Sequence, residues 1–165
     1  MEGAVYPGSF DPVTNGHLDI IERGVKMFGR LNIVVMVNHR KTYAFTLEER
    51  MDMLKEAMEG KWYAESVIVD HWEGLSVDYC EKVGIHTIMR GVRAMTDFDA
   101  EFQMAITNRE LNHKVESVLM VTNVIYSYVS SSGVKEIAYF KGDTSYMVPP
   151  NVQKALKERY GGKGD

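Results

Sequence analysis

The stretch Gly3-Ala-Val-Tyr6-Pro-Gly-Ser-Phe-Asp-Pro-Val-Thr-Asn-Gly-His17 passes from a short apolar, β-rich start into a loop dense in glycine and proline. An amphipathic pattern begins where it ends: from about Gly16 to Phe28, Leu18, Ile21, Val25 and Phe28 recur at helical spacing and form one buried stripe. The reading is a strand from Gly3 to Tyr6, a loop, and a helix that covers one sheet face. Backbone N–H groups at a helix start lack intrahelical partners and the dipole is positive there, so the favoured occupant of such a loop is an anion, most often a phosphate. Gly8 and Gly16 let backbone come close to it, and His17 in the first turn presents an imidazole donor to the same spot. The competing reading is a plain turn in which Asp11 and Thr14 cap the helix. Neither the dinucleotide-binding glycine fingerprint nor the P-loop pattern is present.

Outward from this segment, short β-rich runs alternate with longer amphipathic ones. Leu31 to Val37, Ser66 to Val69, His86 to Met89 and Glu116 to Val121 read as strands. A second helix opens at Thr46-Leu-Glu-Glu49, a capping box in which hydroxyl and carboxylate each accept a backbone N–H. A third runs from about Leu75 to Val83 and closes at Gly84, which tolerates the left-handed conformation. The fourth begins after Thr96 with Phe98, Phe102, Ala105 and Ile106 on one side, and Asp97, Asp99 and Glu101 favoured near its N-terminus by the dipole. A fifth starts in Ser130-Ser-Ser132, and Pro149-Pro150 introduces a last helix, Asn151 to Tyr160, before a glycine-rich tail at 161–165 expected to fray. Such alternation predicts an α/β fold: a doubly wound parallel sheet of five strands with helices on both faces and right-handed crossovers. Ligands of such sheets bind beyond the carboxyl ends of the strands.

Composition bounds the function. The 165 residues, 45% hydrophobic and 25% charged, fit a single domain without repeat, linker or low-complexity tract. Cys80 is the sole cysteine, so no internal disulfide forms, and the five histidines show no zinc spacing; a reducing cytoplasm is the expected compartment. Apolar runs such as Ile33 to Val37 fall far short of the roughly 20 residues a membrane helix needs, and no targeting signal is read at the start, so a soluble, unprocessed protein is expected. Nineteen Lys and Arg against 23 Asp and Glu give a net charge of −4, which argues against a general nucleic-acid binder and makes any anion site local.

Thr14-Asn-Gly-His17 resembles the T/HxGH motif of the nucleotidyltransferase superfamily. Four further segments, Tyr6-Pro-Gly-Ser-Phe-Asp-Pro12, Phe45-Thr-Leu-Glu-Glu-Arg50, Arg90-Gly-Val-Arg-Ala94 and Val129-Ser-Ser-Ser132 with Val134-Lys-Glu136, are similar in order and spacing to the phosphopantetheine adenylyltransferase family. The resemblance spans nearly the whole chain and implies a single nucleotidyltransferase domain over residues 1–165 with a Rossmann-like sheet. It implies transfer of AMP from ATP to 4′-phosphopantetheine, giving dephospho-coenzyme A (dephospho-CoA) and pyrophosphate. Magnesium would be held mainly by the ATP phosphates and water. A homohexamer and feedback by coenzyme A (CoA) are implied as well. The chemistry is consistent: a phosphate monoester carries about 1.5 to 2 negative charges at neutral pH and needs no activating base, so the enzyme must supply donors and cations.

By the same resemblance His17 holds the transition-state phosphate, and Lys41 and Arg90 contact the acceptor phosphate and phosphopantetheine. Ser9 and Phe10 offer a hydroxyl and a backbone N–H to both substrates. Gly91, Val92 and Arg93 lie against ATP, Glu101 accepts hydrogen bonds from the nucleotide, and Tyr126, Ser127, Tyr128, Val129, Ser130, Ser131 and Ser132 lead to its β- and γ-phosphates. Leu75 and Ser76 line the pantetheine arm. Two positions depart from the family pattern: Ala100, where an aromatic residue is frequent, and Gly133, where a larger apolar residue usually follows the serines, a change expected to loosen the fifth helix entry.

Without the resemblance each residue has a plainer reading. Lys41 and Arg40 are solvated loop cations; Arg90 and Arg93 are ion-pair partners of Asp97 or Asp99. Glu101 is a helix-dipole partner, Ser130 to Ser132 an N-cap, His39, His71, His86 and His113 surface or partner-satisfied residues, and the 11 methionines core filler. Two other functional classes stay open: a nucleotidyltransferase with another acceptor, such as a pyridine mononucleotide or a sugar or glycerol phosphate, and a module that senses ATP or CoA without turnover.

Overall fold

The computed structural model describes residues 3–161, so the expected fraying of 162–165 lies outside the described residues. Strands β1 (Ala4–Gly8), β2 (Leu31–Val37), β3 (Val67–Glu73), β4 (Thr87–Val92) and β5 (Glu116–Val121) form one sheet in the order β3-β2-β1-β4-β5, every neighbouring pair parallel. Between and after them lie α1 (Asn15–Phe28), α2 (Leu47–Met58), α3 (Ser76–Val83), α4 (Met95–Leu111), α5 (Ser131–Tyr139) and α6 (Pro150–Tyr160). Among the described residues no helix is long and apolar enough to cross a membrane.

Side chains alternate across a strand, and the central strands are apolar on both faces. Ala4, Tyr6, Leu31, Ile33, Val35 and Met89 join one core with Ile20 and Ile21 of α1, Leu54 of α2, Val134 of α5 and Leu156 of α6. Val5, Val34 and Ile88 join a second core with Val77, Tyr79 and Cys80 of α3. The sheet is therefore covered on both faces, as the alternating pattern predicts. Local signals hold where the chemistry is short-ranged: Thr46 Oγ1 accepts the Glu49 N–H at 3.2 Å while Glu49 Oε2 accepts the Thr46 N–H at 2.8 Å. Gly84 closes α3 at φ 68°, ψ 27°, a conformation that a Cβ would penalise.

Three expectations need correction. Strands β1, β3 and β4 run on to Gly8, Glu73 and Val92, because parallel pairing continues through the polar and proline residues that end the apolar runs. Arg90, expected at the end of the fourth strand, and Gly91 thus lie inside β4. The apolar side of α4 faces outward: Phe98, Phe102 and Ile106 are exposed, the two phenyl rings stack at 5.8 Å, and Asn108 is the buried residue of the helix. The methionines are not uniformly core filler, since Met27, Met95 and Met104 are exposed while Met53, Met58, Met89 and Met120 are buried.

The order of strands places a reversal at the centre. β1 pairs with β2 through five residues, from Ala4 with Leu31 to Gly8 with Val35, but with β4 its register is limited to Val5 and Ile88. No further pairing between the two strands follows Val5 among the described residues. Pro7, which has no N–H to give, therefore sits in a central strand where its β4 side carries no ladder. A ligand crevice is expected at this point in an open α/β sheet.

Candidate active site

Two adjoining cavities open at the carboxyl ends of β1 and β4, one of about 480 Å³ and one of about 990 Å³. Ser9, Lys41, Arg90 and Glu101 line both, so they stand where the cavities meet. His17, Phe10, Gly91, Arg93, Val129 and the three serines at 130–132 line the smaller; Leu75 and Ser76 line the larger. Val92, Tyr126, Ser127 and Tyr128 line neither: Val92 is buried, Tyr126 packs against the core, and Tyr128 is 62% exposed.

His17 is oriented by the helix it begins. Thr14 Oγ1 accepts the His17 N–H at 3.3 Å, and His17 Nδ1 accepts the Thr14 N–H at 3.0 Å, a capping box with imidazole in the usual place of a carboxylate. A ring nitrogen that accepts from a backbone N–H carries a lone pair, so the proton sits on Nε2. Burial, helped by the charges of Arg90 and Arg93, pushes the imidazole pKa down from 6.5 to about 4. His17 is therefore a neutral donor at physiological pH. The Phe10 ring meets it edge-on at 5.0 Å between centroids, and Tyr6 meets Phe10 at 5.2 Å. Burial raises the Tyr6 hydroxyl to about 12, so Tyr6 stays protonated as part of the wall.

The capping alternative is half right. Thr14 caps α1, whereas Asp11 reaches across to accept from the Ala44 and Phe45 N–H groups at 2.9 and 3.0 Å and from Lys135 Nζ at 2.9 Å. Gly8 serves packing, since a Cβ there would lie 3.0 Å from the Phe10 ring. At Gly16 a Cβ would meet Thr14 and Tyr126 at 3.5 Å, ordinary contact, so closeness to an anion is not what the space around it requires.

The cations are held by carboxylates from α4. Arg90 donates from Nε and Nη2 to the two oxygens of Glu101 at 2.9 and 2.6 Å, and from Nη1 to the Pro7 carbonyl of β1. Arg93 donates to both oxygens of Asp97 at 2.8 and 3.0 Å and to the Val129 carbonyl at 2.8 Å; hydrogen bonds from Arg93 hold the Asp97 carboxyl below its usual range despite partial burial. The ion-pair reading of Arg90 and Arg93 is thus correct for Asp97 and misses Glu101, and both arginines still line the cavity. Lys41 is exposed, and its ammonium has no partner among the described residues. Ser130 Oγ caps the Gly133 N–H at 3.0 Å and Ser131 Oγ donates to the Pro12 carbonyl at 2.8 Å, so the serine run ties the start of α5 to the loop before α1. The α5 entry at Gly133 carries that cap. Thr122 and Lys135 also line the smaller cavity; sequence reasoning gave them no role, and Lys135 lay within a quoted motif.

His39 pairs with Glu73 at 2.9 Å at the rim of the larger cavity, and His71 lies 3.8 Å from Asp70. No group of three or more metal-ligating side chains occurs among the described residues. Asp11, Asp97 and Glu101 each face a lysine or arginine.

A neutral imidazole donor at a helix start, two strand-borne or loop-borne arginines and a lysine around a crevice at the sheet's reversal point define a site for phosphate esters, of the kind nucleotidyltransferases use. The cytidylyltransferase-like family model matches residues 5–137, and the chain belongs to that family. A solved structure, Plasmodium falciparum nicotinic acid mononucleotide adenylyltransferase complexed with NaAD, superposes with a TM-score of 0.69 over 96% of this chain and 95% of that one; at 14% identity it speaks for the fold alone. Phosphopantetheine adenylyltransferase of Staphylococcus haemolyticus (strain JCSC1435) is 48% identical over 95% of this chain and 96% of its own length. Within the superfamily, the chain belongs with the phosphopantetheine adenylyltransferases.

Proposed function

We propose that this chain transfers the adenylyl group of ATP to 4′-phosphopantetheine, releasing pyrophosphate and forming dephospho-CoA, by direct in-line attack. The observation that carries the reading is the junction of the two cavities, where Ser9, Lys41 and Arg90 stand beside the His17 imidazole. The acceptor phosphate is already a nucleophile, with about 1.5 to 2 negative charges at neutral pH, and the barrier lies in bringing it against a second anion. Lys41 and Arg90 offset that repulsion. His17, through its fixed Nε2–H, donates to the α-phosphate oxygens as charge grows on them; Arg93 and the N-terminus of α5 face the leaving pyrophosphate. An acceptor oxygen bonds to the α-phosphorus while the bridging bond to the β-phosphate breaks, and its electrons leave with pyrophosphate. No proton need be taken from the nucleophile, which fits a site whose histidine is a donor.

Glu101, with both oxygens on Arg90, serves to aim that guanidinium; this supports a positioning role over the nucleotide contact the resemblance implies. Magnesium enters as part of the MgATP substrate, since the cleft carboxylates Asp11, Asp97 and Glu101 are each engaged by a lysine or arginine. The exposed apolar side of α4 supports an oligomer, because a monomer rarely leaves large apolar surface in water, and the resemblance makes that oligomer a homohexamer. Cytoplasmic location and inhibition by CoA at the same cleft complete the reading. Incubation with MgATP and 4′-phosphopantetheine, with dephospho-CoA and pyrophosphate quantified, tests it. Nicotinic acid mononucleotide and glycerol phosphate in place of the acceptor should give no adduct, and ATP binding without turnover of any acceptor would overturn the enzymatic reading.

A further inference from the structure

Arg50, near the start of α2, ends the segment Phe45-Thr-Leu-Glu-Glu-Arg50 and carries a charge that by residue type belongs in water. The structure buries it to 2% exposure, the largest of the fully buried side chains. No carboxylate pairs with it among the described residues, and its Nε hydrogen has no acceptor. A buried guanidinium without a counter-ion costs folding free energy that a Met or Leu would not, so packing alone does not account for an arginine here.

Its contacts point to the site. Nη1 donates to the Ser9 carbonyl at 2.8 Å and to the Met36 carbonyl, at the end of β2, at 3.3 Å. The guanidinium carbon stacks 4.0 Å from the centre of the Tyr43 ring. Tyr43 Oη in turn accepts the Asn38 N–H at 3.0 Å, and the Asn38 carbonyl accepts the Lys41 N–H at 2.9 Å. One guanidinium thus joins the Ser9 loop, the end of β2 and the loop that bears Lys41. The Ser9–Phe10 peptide is trans, so a carbonyl drawn to Arg50 turns the Phe10 N–H the opposite way; that N–H makes no hydrogen bond within the described residues. Phe10 stands at φ 46°, a conformation a bulky residue avoids unless its surroundings enforce it.

We propose that Arg50 is a positioning residue: through the Ser9 carbonyl it holds the Phe10 N–H ready for substrate phosphate and polarises that peptide, and through Tyr43 it holds the Lys41 loop. The inference rests on the adenylyl-transfer reading. It is tested with Arg50→Lys, which keeps the charge and loses the fork, and with Tyr43→Leu, a half-buried loop change that leaves the core intact. Arg50→Lys lowers kcat per folded molecule by about 10- to 100-fold, the scale of a small misplacement of reacting groups. Tyr43→Leu mainly raises the acceptor KM, by about three- to tenfold. The double variant loses less than the product of the two, because both act through one stack. Backbone hydrogen exchange at Asn38, Arg40 and Lys41, the hydrogen-bonded amides of the loop, quickens in Arg50→Lys while that of β2 and β4 does not. Wild-type kcat and KM values in both variants, or exchange unchanged at those amides, overturns the proposal. If the wild type forms no dephospho-CoA, the adenylyl-transfer reading falls and the exchange comparison still decides whether Arg50 holds the Lys41 loop.

Discussion

Replacement of His17 by Ala removes one donor and leaves the fold. Because Nδ1 is committed to the Thr14 N–H, Nε2–H is the group that faces substrate, and with a pKa of about 4 the ring is charged in only about one molecule in a thousand at pH 7. A preorganised donor directed at charge that grows in the transition state is worth about 10²–10³ in kcat, so His17→Ala should lose that factor with a smaller change in KM. His17→Gln, which can place an amide N–H near the Nε2 position, should keep more activity than His17→Asn. The stability cost is the lost half of the capping box, about 1 kcal/mol, or a Tm about 2–4 °C lower. The assay is steady-state release of pyrophosphate with both substrates varied, beside a thermal melt. A kcat within threefold of wild type, or an unchanged kcat with a raised KM, refutes the donor assignment.

The acid limb of kcat/KM for the acceptor should follow the second ionisation of its phosphate, near pH 6, and stay in place in His17→Gln, because His17 remains neutral through that range. Since the folded-state pKa of His17 lies below its unfolded value, its contribution to stability is full above about pH 6.5 and is lost as pH falls towards about 4; melts of His17→Gln should depend less on pH in that window. Glu101→Gln should free Arg90 and raise the acceptor KM by about tenfold, the scale of one charge-assisted hydrogen bond, and Lys41→Met should raise the acceptor KM more than that of ATP. Cys80, fully buried and with its thiol pushed to about 11 by that burial, should resist thiol reagents in the native protein and react only on unfolding.

What the sequence discloses of this fold is what neighbouring residues decide. The Thr46 and Glu49 box, the Gly84 stop and the strand-loop-helix run to His17 each depend on a few consecutive side chains, and each appears where its pattern places it. The pairing of β1 with β4 at Val5 and Ile88 joins strands 83 residues apart, and Pro7 reads locally as a strand end. Arg90 with Glu101, Asp11 with Lys135 and Arg50 with the Ser9 carbonyl are pairs of the same kind, and polarity alone would put all five of these charged side chains in water. The outward apolar side of α4 was visible as a stripe, but helical periodicity gives the width of a face and not its partner.

The central claim is that the cleft brings two phosphate esters into line and exchanges pyrophosphate for the acceptor in one step, with no adduct on the protein. ATP made chiral at the α-phosphorus, turned over with 4′-phosphopantetheine, tests it most directly. One in-line displacement predicts dephospho-CoA with inverted configuration at that phosphorus; retention would show two displacements and an adenylylated side chain, and would contradict the account.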